Sequence, residues 1–508
     1  MKRNTWVTAV LLLLAALTSS AAEETRQRGC RVGKSNPQFT LRRAQTAEGA
    51  ENLLTGHRRQ LVILASFQDQ DFAEGYEATW ENIFNAEDYY EGLYAGSIHD
   101  YFMAQSYGQF DLVFDLKSVE LPDNRWKYRS TGYDDEFSQY MVDDIVDALQ
   151  EQHIDWSIYD WDGDSFIDQL LIIYAGKGMN AGGGSSTIWP HQWWLSQHMN
   201  LETDDENDFR SYRTVTSGDE EFYIDCYCCV QEKSSDNSSS FGTICHEYSH
   251  CFGLPDFYNG NGSVVYAWDL MDMGNYNGNG YQPCNYSAHE RMLMGWLTPV
   301  ELTSAATITD MPALCDEPMA YLIRNDGAEN EYYIVENRQQ RGWDKKLPGS
   351  GIVVFHVDYD KSLWVGTEEY VNTSSKKRYT IFPANNKTSR NATGGWAYPY
   401  IVTDEQGNST VANDCLTNTS KPASTLINNN VDGKKLMSKP ITNMAVDGNG
   451  MATFVFIDGL TNDIGTLPMH PQLTSDDNTE WYTLGGQRLS HKPTTKGLYI
   501  SRGSKKWK

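Results

Sequence analysis

From Gln60 onward the chain alternates stretches that are apolar throughout with stretches apolar on one side only. Leu61-Val62-Ile63-Leu64-Ala65 and Gln169 to Ala175 are continuous apolar runs, the pattern of strands buried on both faces. Between them, Glu136 to Gln152 carries Met141, Ile145, Val146 and Leu149 at helical spacing, which predicts an amphipathic helix. Strand and helix signals therefore alternate over 60–175 and predict an α/β domain. Residues 176–186 and 233–240 are Gly- or Ser-rich loops, and 242–252 read as a helix. From about Val300 the helical period fades. Tyr332-Tyr333-Ile334-Val335, Ile352-Val353-Val354-Phe355 and Ala452-Thr453-Phe454-Val455-Phe456 are β-branched and aromatic runs with turn residues between them. That texture is β-rich and sandwich-like. Residues 460–508 predict a small β-module with strands near 481–489 and 497–500.

The first residues follow a different logic. Lys2 and Arg3 precede a mostly apolar run from Trp6 to Leu17, and Ser19-Ser20-Ala21-Ala22 supplies small residues. Residues 1–22 therefore read as a secretory signal, too short for a membrane span. No other stretch has the length and apolar character to span a bilayer. Residues 23–58 are polar and basic and read as a leader or pro-segment. The expected organisation is 1–22 signal, 23–58 leader, 59–299 α/β domain, 300–459 β-rich domain and 460–508 C-terminal module. The expected location is outside the cell or at its surface.

Composition narrows the partners. The 508 residues carry 41 Lys+Arg against 68 Asp+Glu, a formal net charge of −27. Phosphate binding needs clustered cations, so a nucleic-acid or anionic-membrane partner is disfavoured. The nine cysteines are too sparse for a disulfide scaffold. Export permits one or two disulfides among Cys226, Cys228, Cys229, Cys245, Cys251 and Cys284, with no pairing readable.

The chemistry concentrates in His246-Glu247-Tyr248-Ser249-His250. On a helix, positions i and i+4 share a face, so both imidazoles can hold one metal ion with Glu247 beside it. Zinc suits two neutral imidazoles, a hard third ligand and an open position for water. Gly253 allows a sharp exit from the helix and Pro255 discourages its continuation. The returning chain can then bring Asp256 to the metal as third ligand; Asp269 and Asp272 are the alternatives.

This string extends to His246–Asp256 followed by Phe257-Tyr258 (HEYSHCFGLPDFY) and resembles the M6 family of secreted metallopeptidases, the immune inhibitor A type, relatives of the metzincins. The resemblance also covers Trp268 to Gly274 (WDLMDMG), Tyr286-Ser287-Ala288, Gly295-Trp296-Leu297, Asp100-Tyr101-Phe102 with Gln105-Ser106-Tyr107-Gly108, Glu336-Asn337-Arg338 and His356-Val357-Asp358. It implies a metzincin-like zincin catalytic domain, with a mixed sheet and an active-site helix, followed by a β-rich part. It further implies that His246 and His250 bind zinc, that Glu247 is the base, and that Met271 of the Met-turn floors the metal site.

Other candidates surround this core. Asp160, Asp162, Asp164 and Asp168 fall at relative positions 1, 3, 5 and 9, a spacing of hard oxygens that suits a calcium loop though not an EF-hand. Cys30 sits in the basic leader and is a candidate for thiolate latency, set against an incidental or paired thiol. Tyr276 is a candidate oxyanion donor, set against packing. His191 and His289 read as packing residues, with a cleft role as the alternative; Trp193 and Trp194 could wall a substrate site. The tail, with Gly485-Gly486-Gln487-Arg488 and Lys496-Gly497-Leu498-Tyr499-Ile500, is similar to type IX secretion sorting domains, so export machinery is a candidate partner.

The expected function is a secreted zinc endopeptidase acting on protein or peptide substrates. Two other classes compete: a non-proteolytic surface-binding protein with a structural zinc site, and a zinc hydrolase of non-peptide amides. Retention of Glu247 favours catalysis over the first. Only substrate assays separate the second.

Overall fold

The computed structural model describes residues 53–457, apart from 132–134, 204–207, 236–237, 260–261 and 365–369, together with four short strands within 481–507. The expected signal, Cys30 and most of the tail lie outside the described residues.

Five strands form the central sheet: β1 (Gly56–Ser66), β2 (Phe110–Glu120), β3 (Leu170–Lys177), β4 (His191–Trp194) and β5 (Cys226–Lys233), in the spatial order β2-β1-β3-β5-β4. The first four in that order run parallel, and the edge strand β4 is antiparallel to β5. The continuous apolar runs now have their reason. Leu61, Ile63, Leu170 and Ile172 pack on one side with helix α3 (Ser138–Gln150), through its Met141, Ile145 and Leu149. Val62, Leu64, Leu171 and Ile173 pack on the other, with Ile244 and Tyr248 of helix α4 (Phe241–Cys251). Two further helices, α1 (Tyr76–Asn85) and α2 (Ile98–Gln105), add Trp80, Phe84, Tyr101 and Phe102 to this second side. Burying each such side chain contributes about 1.5–3 kcal/mol.

β1 begins earlier than the leader boundary at residue 58 allows. Gly56 to Arg59 already pair with Phe110 to Val113 of β2. Two basic residues at the start of β1 meet acids across the sheet: Arg59 bonds to Asp115, and His57 to Asp111 at 2.9 Å. Local composition showed the cations and not their partners.

The β-rich part contains a five-stranded sheet of β6 (Val300–Glu301), β7 (Tyr321–Asn325), β8 (Ala328–Arg338), β9 (Gly351–Asp358) and β10 (Tyr379–Ile381), each beside the next. β6 and β7 are parallel and the other pairs antiparallel. Its two faces alternate strictly. Tyr333, Val335, Ile352 and Val354 pack with Met311, Ile441 and Phe454 of the three-stranded sheet formed by Ala306–Met311, Ala452–Phe456 and Ile441–Val446. Tyr332, Ile334, Val353 and Phe355 join the same core as α4. That core thus runs across residue 299, and the described residues from Leu53 to Ile457 lie in one compact unit.

A second unit contains the strands Arg488–Leu489, Trp481–Tyr482, Leu498–Ser501 and Ser504–Trp507, which make a four-stranded antiparallel sheet in that order. No helix among the described residues is long and apolar enough to cross a membrane.

None of the eight described cysteines forms a disulfide, so the expected bridges near 226–284 do not occur among them. Cys226, Cys228, Cys229, Cys245, Cys251 and Cys284 are buried as small apolar residues. Burial pushes the Cys228 thiol up to about 11.

Candidate metal centre

Helix α4 is buried along its whole length, so its histidines lie inside the protein. It ends where Gly253 takes φ +92°, a left-handed turn that costs glycine little. There the Gly253 amide donates to the His250 carbonyl at 2.9 Å. The reversal carries Asp256 back along the helix. Its Oδ1 lies 3.2 Å from His246 Nε2 and 3.4 Å from His250 Nε2.

Backbone carbonyls orient both rings. His246 Nδ1 is 2.9 Å from the Leu270 carbonyl oxygen, and His250 Nδ1 is 2.7 Å from that of Leu254. A carbonyl only accepts, so each Nδ1 carries the hydrogen and each Nε2 presents its lone pair toward Asp256. The other Asp256 oxygen accepts from Tyr258 Oη at 2.5 Å. Burial disfavours charge on His246, while the neighbouring carboxylates of Asp256 and Glu247 favour it. The histidines hold Asp256 below the usual carboxylate range although burial opposes this.

His246, Glu247 and His250 converge within a metal-sized group of ligand atoms. His250 Nε2, Asp256 Oδ1 and Glu247 Oε2 are buried without a hydrogen-bond partner. Leaving three such atoms unsatisfied in a protein interior would be costly. A divalent cation taking nitrogen and carboxylate ligands satisfies this donor set, so the residues present fit zinc.

Asp269 and Asp272 are engaged elsewhere. Asp272 Oδ2 accepts from the amides of Val264, Val265 and Tyr266 at 2.7–2.9 Å. Asp269 accepts from the Met271 amide at 2.9 Å and from Tyr379 Oη at 2.8 Å. Burial pushes Asp269 up to about 7 despite those bonds. Met271 is fully buried between them, its carbonyl accepting from Phe257 N–H at 2.9 Å.

The acidic loop divides. Asp160, Asp162 and Asp164 bring oxygens together in a second metal-sized group. Asp168 instead accepts from Trp161 N–H at 2.5 Å. The Asp160 oxygens also cap the amides of Gly163, Asp164 and Ser165 at 2.9–3.1 Å.

His191 is buried against Trp189 O (2.7 Å) and Tyr227 Oη (3.0 Å). His289 lies among Tyr332, Trp364 and Tyr379, and burial pushes it down to about 3, so it packs as a neutral ring. Trp193 and Trp194 stand on the edge strand β4. Tyr276 is half-buried in the 3-10 turn after the Met271 segment.

Sequence reasoning missed four partners: Tyr258, the Leu254 and Leu270 carbonyls, and Tyr379. Tyr258 follows the motif directly and was within reach of inspection. Tyr379 lies more than a hundred residues away, with no local signal.

A buried pair of histidines one helix turn apart, a carboxylate returned to them and a glutamate between make an H-E-x-x-H arrangement of the kind that holds a metal ion. Residues 65–296 match the family described as immune inhibitor A peptidase M6, catalytic domain. Over those residues, just under half of its length, the chain is similar to that catalytic domain. It is 24% identical over 273 residues to immune inhibitor A of Bacillus thuringiensis subsp. alesti, covering 46% of this chain and 38% of that protein. It is 28% identical over 152 residues to the pre-pro-metalloprotease PrtV of Vibrio cholerae serotype O1 (strain M66-2), covering 27% of this chain and 15% of that protein. The chain thus aligns with well under half the length of either relative.

Proposed function

We propose that the protein is an exported zinc endopeptidase that hydrolyses protein substrates. The observation that carries this reading is the convergence of His246, His250 and Asp256 beside an unpartnered, buried Glu247 oxygen. His246 Nε2, His250 Nε2 and Asp256 Oδ1 would hold the metal. When bound, zinc supplies a Lewis acid that lowers the pKa of water from 15.7 toward about 7 and polarises a carbonyl. Glu247 takes the proton of the attacking water. The water oxygen bonds to the scissile carbon, the C–N bond breaks, and Glu247 passes the proton to the departing amine. Met271 and the carbonyls of Leu254 and Leu270 hold the ligands in place. Tyr276 would donate to the oxyanion.

Asp160, Asp162 and Asp164 would hold a structural calcium ion, with Asp168 closing the loop onto Trp161. The signal-like residues 1–22 support export, and the tail would engage the export machinery.

The test is cleavage of casein by the purified chain after leader removal. A metal chelator should abolish cleavage and stoichiometric zinc should restore it. Zinc binding without cleavage would instead support the surface-binding or non-peptide reading.

A further inference from the structure

The β-rich part reaches the metal centre through one strand edge. Tyr379 on β10 is fully buried, and its hydroxyl donates to Asp269 Oδ2 at 2.8 Å. Asp269 Oδ1 holds the Met271 amide at 2.9 Å, and the adjoining Leu270 carbonyl holds His246 Nδ1 at 2.9 Å. The same tyrosine ring stacks on Phe257, the residue after Asp256, with centroids 3.9 Å apart and planes 23° apart. Asn372, also fully buried, donates to the Phe257 carbonyl at 2.7 Å and accepts from Tyr379 N–H at 2.9 Å. The two metal-site loops also bond to each other, Phe257 N–H to Met271 O at 2.9 Å.

We propose that Tyr379 and Asn372 are positioning residues of the metal centre. They lie outside residues 65–296, so the segment that resembles a catalytic domain does not contain all of its own supporting contacts. Tyr379 sets the Asp269–Met271 turn, and with it the His246 ring, through its hydroxyl. Asn372 and the Tyr379 ring set Phe257, and with it the carboxylate of Asp256. Groups that orient ligands from behind commonly change metal affinity or activity about 10–100-fold. The inference rests on the zinc reading above.

Tyr379→Phe keeps the ring on Phe257 and removes only the hydroxyl. Zinc affinity, read by competition with a chromogenic chelator, should fall about 10-fold. Amide exchange over 268–273 should quicken while that over 332–336 stays as in wild type. Asn372→Ala should weaken zinc similarly and quicken exchange over 256–258; it decides the matter if the phenylalanine variant fails to fold. Unchanged zinc affinity in both variants overturns the proposal. So does faster exchange throughout β8, which makes the contact a general support of the sheet. A wild type that binds zinc but cleaves no protein ends the endopeptidase reading and leaves this comparison intact. A wild type that binds no zinc overturns both.

Discussion

Asp256 Oδ1 stands 3.2 Å from His246 Nε2, although ten residues and a helix end separate them in the chain. Only the turn at Gly253 makes that approach. Removing the carboxylate leaves two imidazoles facing an unfilled position. Asp256→Ala should lower zinc affinity by more than about 100-fold, beyond the range for groups behind the ligands. Zinc content after dialysis against a weak chelator checks this. Full occupancy would reassign the third ligand.

The loop from Asp160 to Asp164 should stiffen on binding calcium. At fixed zinc, calcium at 100 times its Kd should add about 2.7 kcal/mol to stability. Melting curves across a calcium titration would read this. The rise should vanish in Asp162→Asn, and its absence in wild type would remove the calcium assignment.

Arg338 ties the matched domain to the β-rich sheet. Fully buried, it bonds to Asp344 at 2.7 Å, to Glu336 at 3.0 Å and to the Asn285 carbonyl at 3.1 Å. Arg338→Met would strand two buried carboxylates and should cost about 3–5 kcal/mol. Urea unfolding at neutral pH measures the loss. For the same reason a chain ending at residue 299 should not fold.

Glu331 gives the protein an acid-sensitive joint. It accepts from His356 at 2.7 Å, from the Asn428 amide at 3.0 Å and from Asn325 at 2.9 Å. Burial works against its charge, but these bonds win and hold its carboxyl below the usual glutamate value of 4.5. A depressed folded pKa binds fewer protons than the unfolded chain, so the stabilisation is present above pH 4.5 and lost as pH falls through the folded value. Glu331→Gln should flatten that part of the stability curve. A variant with the same acid limb as wild type would contradict this.

Much of the fold was legible because its signals are local. The runs at 61–65 and 169–175 and the helix spacing from Met141 to Leu149 reflect burial against whatever lies opposite. The H-E-x-x-H and the Gly253–Asp256 turn are also local, so the ligand geometry could be anticipated. What depended on distant partners could not. Gly56 and His57 fell within the expected leader, yet they pair with Phe110 and Asp111 of β2. Asp168 matched a calcium spacing, yet its carboxylate turns to Trp161 N–H. The buried cysteines suggested disulfides because export permits them, whereas the described ones pack as thiols. Tyr379 had no motif at all.

The most direct test compares Glu247→Ala with wild type for zinc content and casein cleavage. The account predicts about one zinc retained per chain in both. It also predicts cleavage in the wild type alone. A variant that keeps zinc and still cleaves would contradict the assignment of Glu247 as the proton acceptor and, with it, the proposed mechanism.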